Sequence, residues 1–69
     1  METLGQYIKR LRIEVGITQS DLADRVGISR NAISDYERDN YSPTIRAIVY
    51  ISDYLPIDFE HVRKLILGE

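Results

Sequence analysis

Apolar residues recur along the chain at helical spacing, and no stretch of useful length alternates as a strand would. Leu4, Ile8, Leu11 and Val15 fall at steps of four, three and four, which predicts an amphipathic first helix. Thr3 and Gln6 make a capping box at its start, and Gly16 ends it. A second helix opens at Thr18, a capping residue with Asp21 three positions on, and buries Leu22, Ala23 and Val26. Gly27 is placed to take the left-handed conformation that ends that helix, with Ile28 as an apolar plug at the corner. Ser29 caps a third helix that turns Ile33 and Tyr36 inward and loses helix propensity near Asp39 and Asn40. After a short loop beginning at Tyr41, Ser42 and Pro43 read as a cap followed by proline at the first helical position. The fourth helix is therefore expected from about Pro43 to Leu55, with Ile45, Ile48, Ile51, Ser52 and Leu55 facing in. Pro56 stops it, and Asp58 caps a last helix whose Phe59, Val62 and Leu65 or Ile66 close the underside of the core.

The pattern predicts an all-α fold of five helices in a single domain over residues 1–69. Within it, residues 19–38 form two short helices crossing sharply at Gly27, the arrangement of a helix-turn-helix. The outward face of the second of these carries Arg30, Asn31, Ser34, Asp35 and Arg38, rich in hydrogen-bonding groups and poor in apolar ones. Such a face suits base edges in the major groove of double-stranded DNA.

Composition tempers that reading. The net charge is −2, and an isoelectric point near 5.3 is the wrong sign for an indiscriminate nucleic-acid binder. Distribution restores part of the case, because Lys9, Arg10 and Arg12 cluster early whereas Asp53, Asp58, Glu60 and Glu69 lie in the last third. The expectation is weak nonspecific affinity that falls steeply with salt. With no cysteine, neither disulfides nor a thiolate zinc site can staple the fold. His61 stands alone, so a surface histidine is expected rather than a metal ligand. Asp35, Glu37 and Asp39 start like a calcium loop, but Asn40 stands where glycine is needed and Arg46 where the bidentate glutamate belongs. No nucleophile triad or phosphate-cradling glycine loop occurs, so no catalytic residue, cofactor or small-molecule ligand is expected. An N-terminus without a signal-like apolar core, and no apolar run able to cross a bilayer, predict a cytoplasmic protein without a membrane partner.

Several blocks taken in order resemble the Cro and phage-repressor type of helix-turn-helix, the XRE-like or lambda-repressor-like family. These are IKRLR at 8–12, Gly16 within EVGITQSDLA at 14–23, RVGIS at 25–29, and AIS-x-YE at 32–37. Pro43 six residues after Glu37, and the spacing of Ile48, Ile51 and Leu55, complete the set. The resemblance implies a transcriptional regulator, a repressor, that binds a palindromic operator as a homodimer with its third helix in the major groove. Carried over by position, Arg30, Asn31 and Asp35 would face base edges, with Ser29 and Ser34 beside them. Asp35 has three readings: accepting from a cytosine amine and orienting Arg30 or Arg38, which carry equal weight, or repelling phosphate and lowering affinity. Thr18 and Gln19 would meet phosphate at the start of the second helix, Arg38, Asn40 and Tyr41 would reach the DNA backbone beyond the third, and Arg46 from the fourth. The family also pairs an arginine of the first helix with a glutamate ending the third, here Arg12 and Glu37.

Two departures are specific to this chain. Asp39 and Asn40 replace the usual glycine and lysine, which removes a phosphate-binding cation and adds a repulsive charge. Pro56 replaces the glycine that usually follows the fourth helix, which alters the approach of helix five and any contact near Ile57. Lys9 and Arg10 are read as the solvated face of the first helix. Ala47, Tyr50 and Tyr54 form a second stripe on the fourth helix, displaced from its core stripe, and Leu65, Ile66 and Leu67 exceed what a closing helix needs. Tyr54, Ile57, Phe59, Leu65 and Ile66 are accordingly the expected dimer face, which would set two third helices about 34 Å apart. The competing reading is a protein-interaction module, such as an antitoxin or adaptor, built on the same fold.

Overall fold

The computed structural model describes all residues from Met1 to Glu69 and contains five α-helices and no strand. They are α1 (Leu4–Val15), α2 (Gln19–Val26), α3 (Arg30–Glu37), α4 (Ile45–Ser52) and α5 (Phe59–Leu67). Ten buried side chains make one core, drawn from every helix and the α4–α5 turn: Tyr7, Ile8, Leu11, Leu22, Ala23, Ile33, Ile48, Ile51, Leu55 and Val62. Leu4, Ile17, Val26, Ile28, Tyr36, Ile57 and Leu65 pack around it half-buried. No helix is long and apolar enough to cross a membrane.

The local signals for the first three helices act as the sequence predicts. Thr3 and Gln6 satisfy each other's backbone amides at the start of α1, and Thr18 and Asp21 do the same at α2. Gly16 and Gly27 hold positive φ at the two C-termini, where an L side chain would be strained. α3 ends at Glu37, two residues before the expected fraying point, because the turn after it is a well-formed cap. Asn40 N–H donates to the Asp35 carbonyl at 2.9 Å and Asp39 N–H to the Tyr36 carbonyl at 3.1 Å, the paired bonds of a Schellman motif. Asp39 occupies its left-handed position at φ 59°.

α4 departs from expectation at both ends. Its cap is Thr44, whose hydroxyl accepts from Ala47 N–H at 3.0 Å, so Ser42 and Pro43 lie outside the helix. Ile45 is 77% exposed instead of in the core, and Ala47, assigned to the outer stripe, is buried beside Ile48 and Ile51. Ser52 is the last helical residue and only half-buried. Beyond it the ladder tightens into three-residue bonds at Asp53 and Tyr54, because a residue before proline disfavours helical geometry and Pro56 follows Leu55. Leu55 is nonetheless buried. Val15, Phe59 and Ile66, expected in the core, are exposed.

Pro56 sits at the centre of a γ-turn closed by Ile57 N–H and the Leu55 carbonyl at 2.7 Å. From there α5 is tied to α1 by polar contacts. The buried Tyr7 hydroxyl accepts from Asp58 N–H at 3.0 Å, and His61 stands edge-on to the Tyr7 ring with centroids 4.7 Å apart. His61 is thus half-buried against α1 instead of lying free on the surface. Arg10 lies over the same ring and donates to Glu2, which holds the Glu2 carboxyl below the usual carboxylate range. A depressed carboxyl favours the fold above its unfolded titration range, so this contribution fades on acidification through the folded value.

The closest backbone approach joins the start of α1 to the end of α3. A Cβ at Gly5 would fall onto the Tyr36 carbonyl oxygen and lie 2.6 Å from an Asp39 carboxylate oxygen. Gly5→Ala, which helix propensity alone would favour by about 1 kcal/mol, is therefore expected to destabilise by about 1–3 kcal/mol through overpacking. Urea denaturation of the two proteins reads the sign directly.

Candidate nucleic-acid interface

The polar site is organised from the core outward. Glu37, 5% exposed, accepts a two-pronged bond from Arg12, Nε to Oε2 at 2.7 Å and Nη2 to Oε1 at 3.0 Å. The third guanidinium nitrogen, Nη1, donates to the Ile17 carbonyl at 2.9 Å. Gln19 Nε2 adds a donor to Glu37 Oε1 at 3.1 Å. The carboxylate raises the Arg12 pKa further above its already high value, chiefly through these hydrogen bonds. Four segments thereby meet at one ion pair: α1, the α1–α2 turn, the first residue of α2 and the last residue of α3. No buried side-chain polar atom is left without a partner.

This network decides where Gln19 points. The sequence reading gave it to phosphate through side chain and backbone amide; its side-chain nitrogen is engaged inward on Glu37, which leaves the backbone amide for that contact. Thr18 likewise spends its hydroxyl on the amide of Asp21. What faces outward at the start of α2 is backbone, the N–H groups of Gln19 and Ser20, which have no acceptor within the chain. They border a depression of about 560 Å³ whose lining also includes Arg12, Thr18 and Arg30. Arg30 and the open end of α2 thus share one concavity, a place where an anion would find partial positive charge from the helix and full charge from a guanidinium.

Along α3, Arg30 and Asn31 are exposed, and neither side chain makes a hydrogen bond or ion pair within the chain. The other candidates are partly occupied. Ser29 Oγ accepts the amide of Ala32 as the helix cap, which leaves its hydroxyl proton to donate, and Ser34 is half-buried. Asp35 Oδ1 accepts from Arg38 Nη2 at 3.4 Å and from Asn40 Nδ2 at 3.3 Å. Of its sequence readings, the geometry favours orientation, toward Arg38 and Asn40 and not toward Arg30. Tyr41 is 68% exposed, and Arg46 is exposed without a partner. Lys9 and Arg10 are on the solvated side of α1, with Arg10 paired to Glu2 and Glu14.

Sequence reasoning missed the role of Asp39. Taken as a charge facing phosphate, it turns back onto α1, where Oδ2 accepts from the Thr3 hydroxyl at 2.6 Å and Oδ1 from Gly5 N–H at 3.0 Å. The only local signal was an aspartate where a left-handed residue is needed, since Asp tolerates that region better than most residues. Its partners, more than thirty positions away, carry none.

The expected dimer face divides in two. Ile57 and Leu65 pack on the core, whereas Phe59 and Ile66 line an apolar groove with Ile45, Ile48, Val62 and Leu67, of about 390 Å³. Tyr54 is 41% exposed but does not line that groove. Ile45 lines it instead.

Five helices around one core, with α2 and α3 set across Gly27 and a polar face on α3, define a lambda-repressor-like helix-turn-helix fold. The chain belongs to the helix-turn-helix family of XRE type, whose profile matches residues 8–62. It is 38% identical over 67 residues to the immunity repressor protein of Bacillus phage phi105, covering 97% of this chain and 44% of that one. Among solved structures it is similar to the P22 c2 repressor protein in complex with a synthetic operator, at 27% identity and TM-score 0.82, covering 90% and 94% of the two chains. It is also similar to the N-terminal DNA binding domain of SinR from Bacillus subtilis, at 31% identity and TM-score 0.76, covering 91% and 88%. The chain spans about half the length of the curated relatives it matches.

Glu37→Ala would leave Arg12, whose side chain is 11% exposed, as an uncompensated buried cation. The expected loss is about 3–5 kcal/mol in urea unfolding. Arg10→Ala, which removes the surface pairs, should change stability little.

Proposed function

We propose that the chain is a sequence-specific DNA-binding transcriptional regulator, a repressor acting in the cytoplasm, in which α3 lies in the major groove. It is a binding module and not an enzyme, with residues 19–38 as the reading unit of a single domain. The observation that carries this reading is the contrast on α3. Arg30 and Asn31 are its exposed polar side chains and have no partner in the protein, and Arg30 borders the open amides of α2. A guanidinium forks onto guanine and a carboxamide onto adenine, so these two types offer direct readout. The names of the relatives support the regulatory role: an immunity repressor, and a repressor solved on operator DNA.

In this arrangement phosphate on one flank meets the Gln19 and Ser20 amides at the α2 N-terminus. On the other it meets Arg38, Asn40 and Tyr41, with Arg46 reaching in from α4. Ser29 and Ser34 make auxiliary contacts at the base edges. With a net charge of −2, few phosphates are neutralised, and affinity rests on the direct contacts more than on bulk charge. The operator is a palindrome read by a homodimer, with the apolar groove lined by Phe59, Ile66 and Ile45 as the self-complementary face.

Selection of bound duplexes from a random-sequence pool is expected to return a palindrome with half-sites about one turn, roughly 34 Å, apart. Arg30→Ala and Asn31→Ala should each relax particular positions and cost about 1–3 kcal/mol of discrimination there. Enrichment of no sequence above background would sink the reading and turn attention to a protein partner. Ile66→Glu should abolish the dimer in sedimentation without unfolding the chain; a variant that still dimerises would place the two-fold elsewhere.

A further inference from the structure

We infer that Asp39 is a positioning residue for DNA binding, one that fixes the α3–α4 turn against α1 so that Arg38, Asn40 and Tyr41 are held where phosphate would meet them. This deepens, and rests on, the DNA-binding reading above. Three observations carry it. Asp39 occupies the left-handed position of the α3 cap at φ 59°, a conformation that glycine adopts without strain and aspartate does not. Both of its carboxylate oxygens are nonetheless engaged across the fold, on the Thr3 hydroxyl and the Gly5 amide. Gly5 itself lacks the Cβ that would separate the two segments.

The chemistry of the two ends is complementary. The first turn of α1 presents unsatisfied amides and the positive end of the helix, and a carboxylate satisfies one amide while matching that charge. The carboxylate is thereby engaged on α1 at the surface instead of standing free to face phosphate. The same turn carries Arg38 and Asn40, which Asp35 holds from the other side through its Oδ1. With Asp35 inside α3 and Asp39 on α1, the turn is fixed from both flanks. The side chains on it are pre-organised, so less freedom is lost when they meet DNA.

Substitution separates this role from two simpler ones. Asp39→Gly suits the cap conformation but removes the tie to α1. Asp39→Asn keeps the left-handed tolerance and an acceptor for Gly5, and removes the charge. Binding of each to a duplex selected by the wild-type chain is measured across a salt series, well below both unfolding midpoints. Asp39→Gly is expected to lose roughly three- to tenfold in affinity, with a salt slope shallower by about 0.9, the loss of one phosphate contact at Arg38. Asp39→Asn is expected to stay within about twofold of the wild type and to keep the full slope. If the carboxylate only repelled phosphate, both variants would bind more tightly. If it only stabilised the fold, unfolding midpoints would move and the salt slope would not. Either result overturns the inference, as does an Asn variant that fails to restore the slope. A wild-type chain that selects no duplex removes the DNA-binding reading and this inference together, whereas a binding wild type with an unchanged Gly variant removes this inference alone.

Discussion

Glu37 is the point on which the rest of the molecule is registered. A buried carboxylate is tolerated only when its charge and its lone pairs are matched, and here Arg12 supplies a two-pronged fork and Gln19 a third bond. Because Arg12 also grips the Ile17 carbonyl, the pair sets the angle at which α1, α2 and α3 leave one another. Apolar packing alone would hold a core of ten side chains together with less directional demand. An ion pair with a full set of hydrogen bonds has essentially one acceptable geometry. Through Gln19 the network ties the first residue of α2 to the last residue of α3, and so braces the outer face of α3.

A second consequence is a division of labour among polar side chains. The fold consumes Arg12, Glu37 and Gln19 in the central network, Thr18, Ser29 and Thr44 as caps, and Asp35 and Asp39 in fixing the turn after α3. Arg30, Asn31, Arg46 and the first amides of α2 are left without partners and free to meet a ligand, as are Lys9, Arg25 and Lys64 elsewhere on the surface. A chain of 69 residues leaves much of its polar surface exposed. Sorting it by whether the protein has already satisfied it gives a sharper candidate list than polarity or exposure alone.

Much of this was legible in the sequence, and where it was not the reason is physical. Capping boxes at Thr3 and Thr18 and glycines at 16 and 27 act within a turn of the chain, so local reading placed α1 and α2 to within a residue. α4 was placed early because Ser42–Pro43 imitates a helix start, while Thr44 offers the same hydroxyl one residue after the proline. Ile45, expected in the core, is exposed and lines the apolar groove, which Tyr54 does not. The Arg12–Glu37 pair was legible only through the family resemblance. The tie from Asp39 to Thr3 and Gly5 was not legible at all, because it joins positions with no periodic relation and depends on a tertiary approach.

The central claim is that α3 presents Arg30 and Asn31 to base edges in the major groove. Chemical interference on a selected duplex tests it most directly, because methyl groups at guanine N7 project into the major groove and those at adenine N3 into the minor groove. The account predicts that N7 methylation within each half-site blocks binding while N3 methylation leaves it intact. Interference confined to adenine N3, or absent at both, would contradict it.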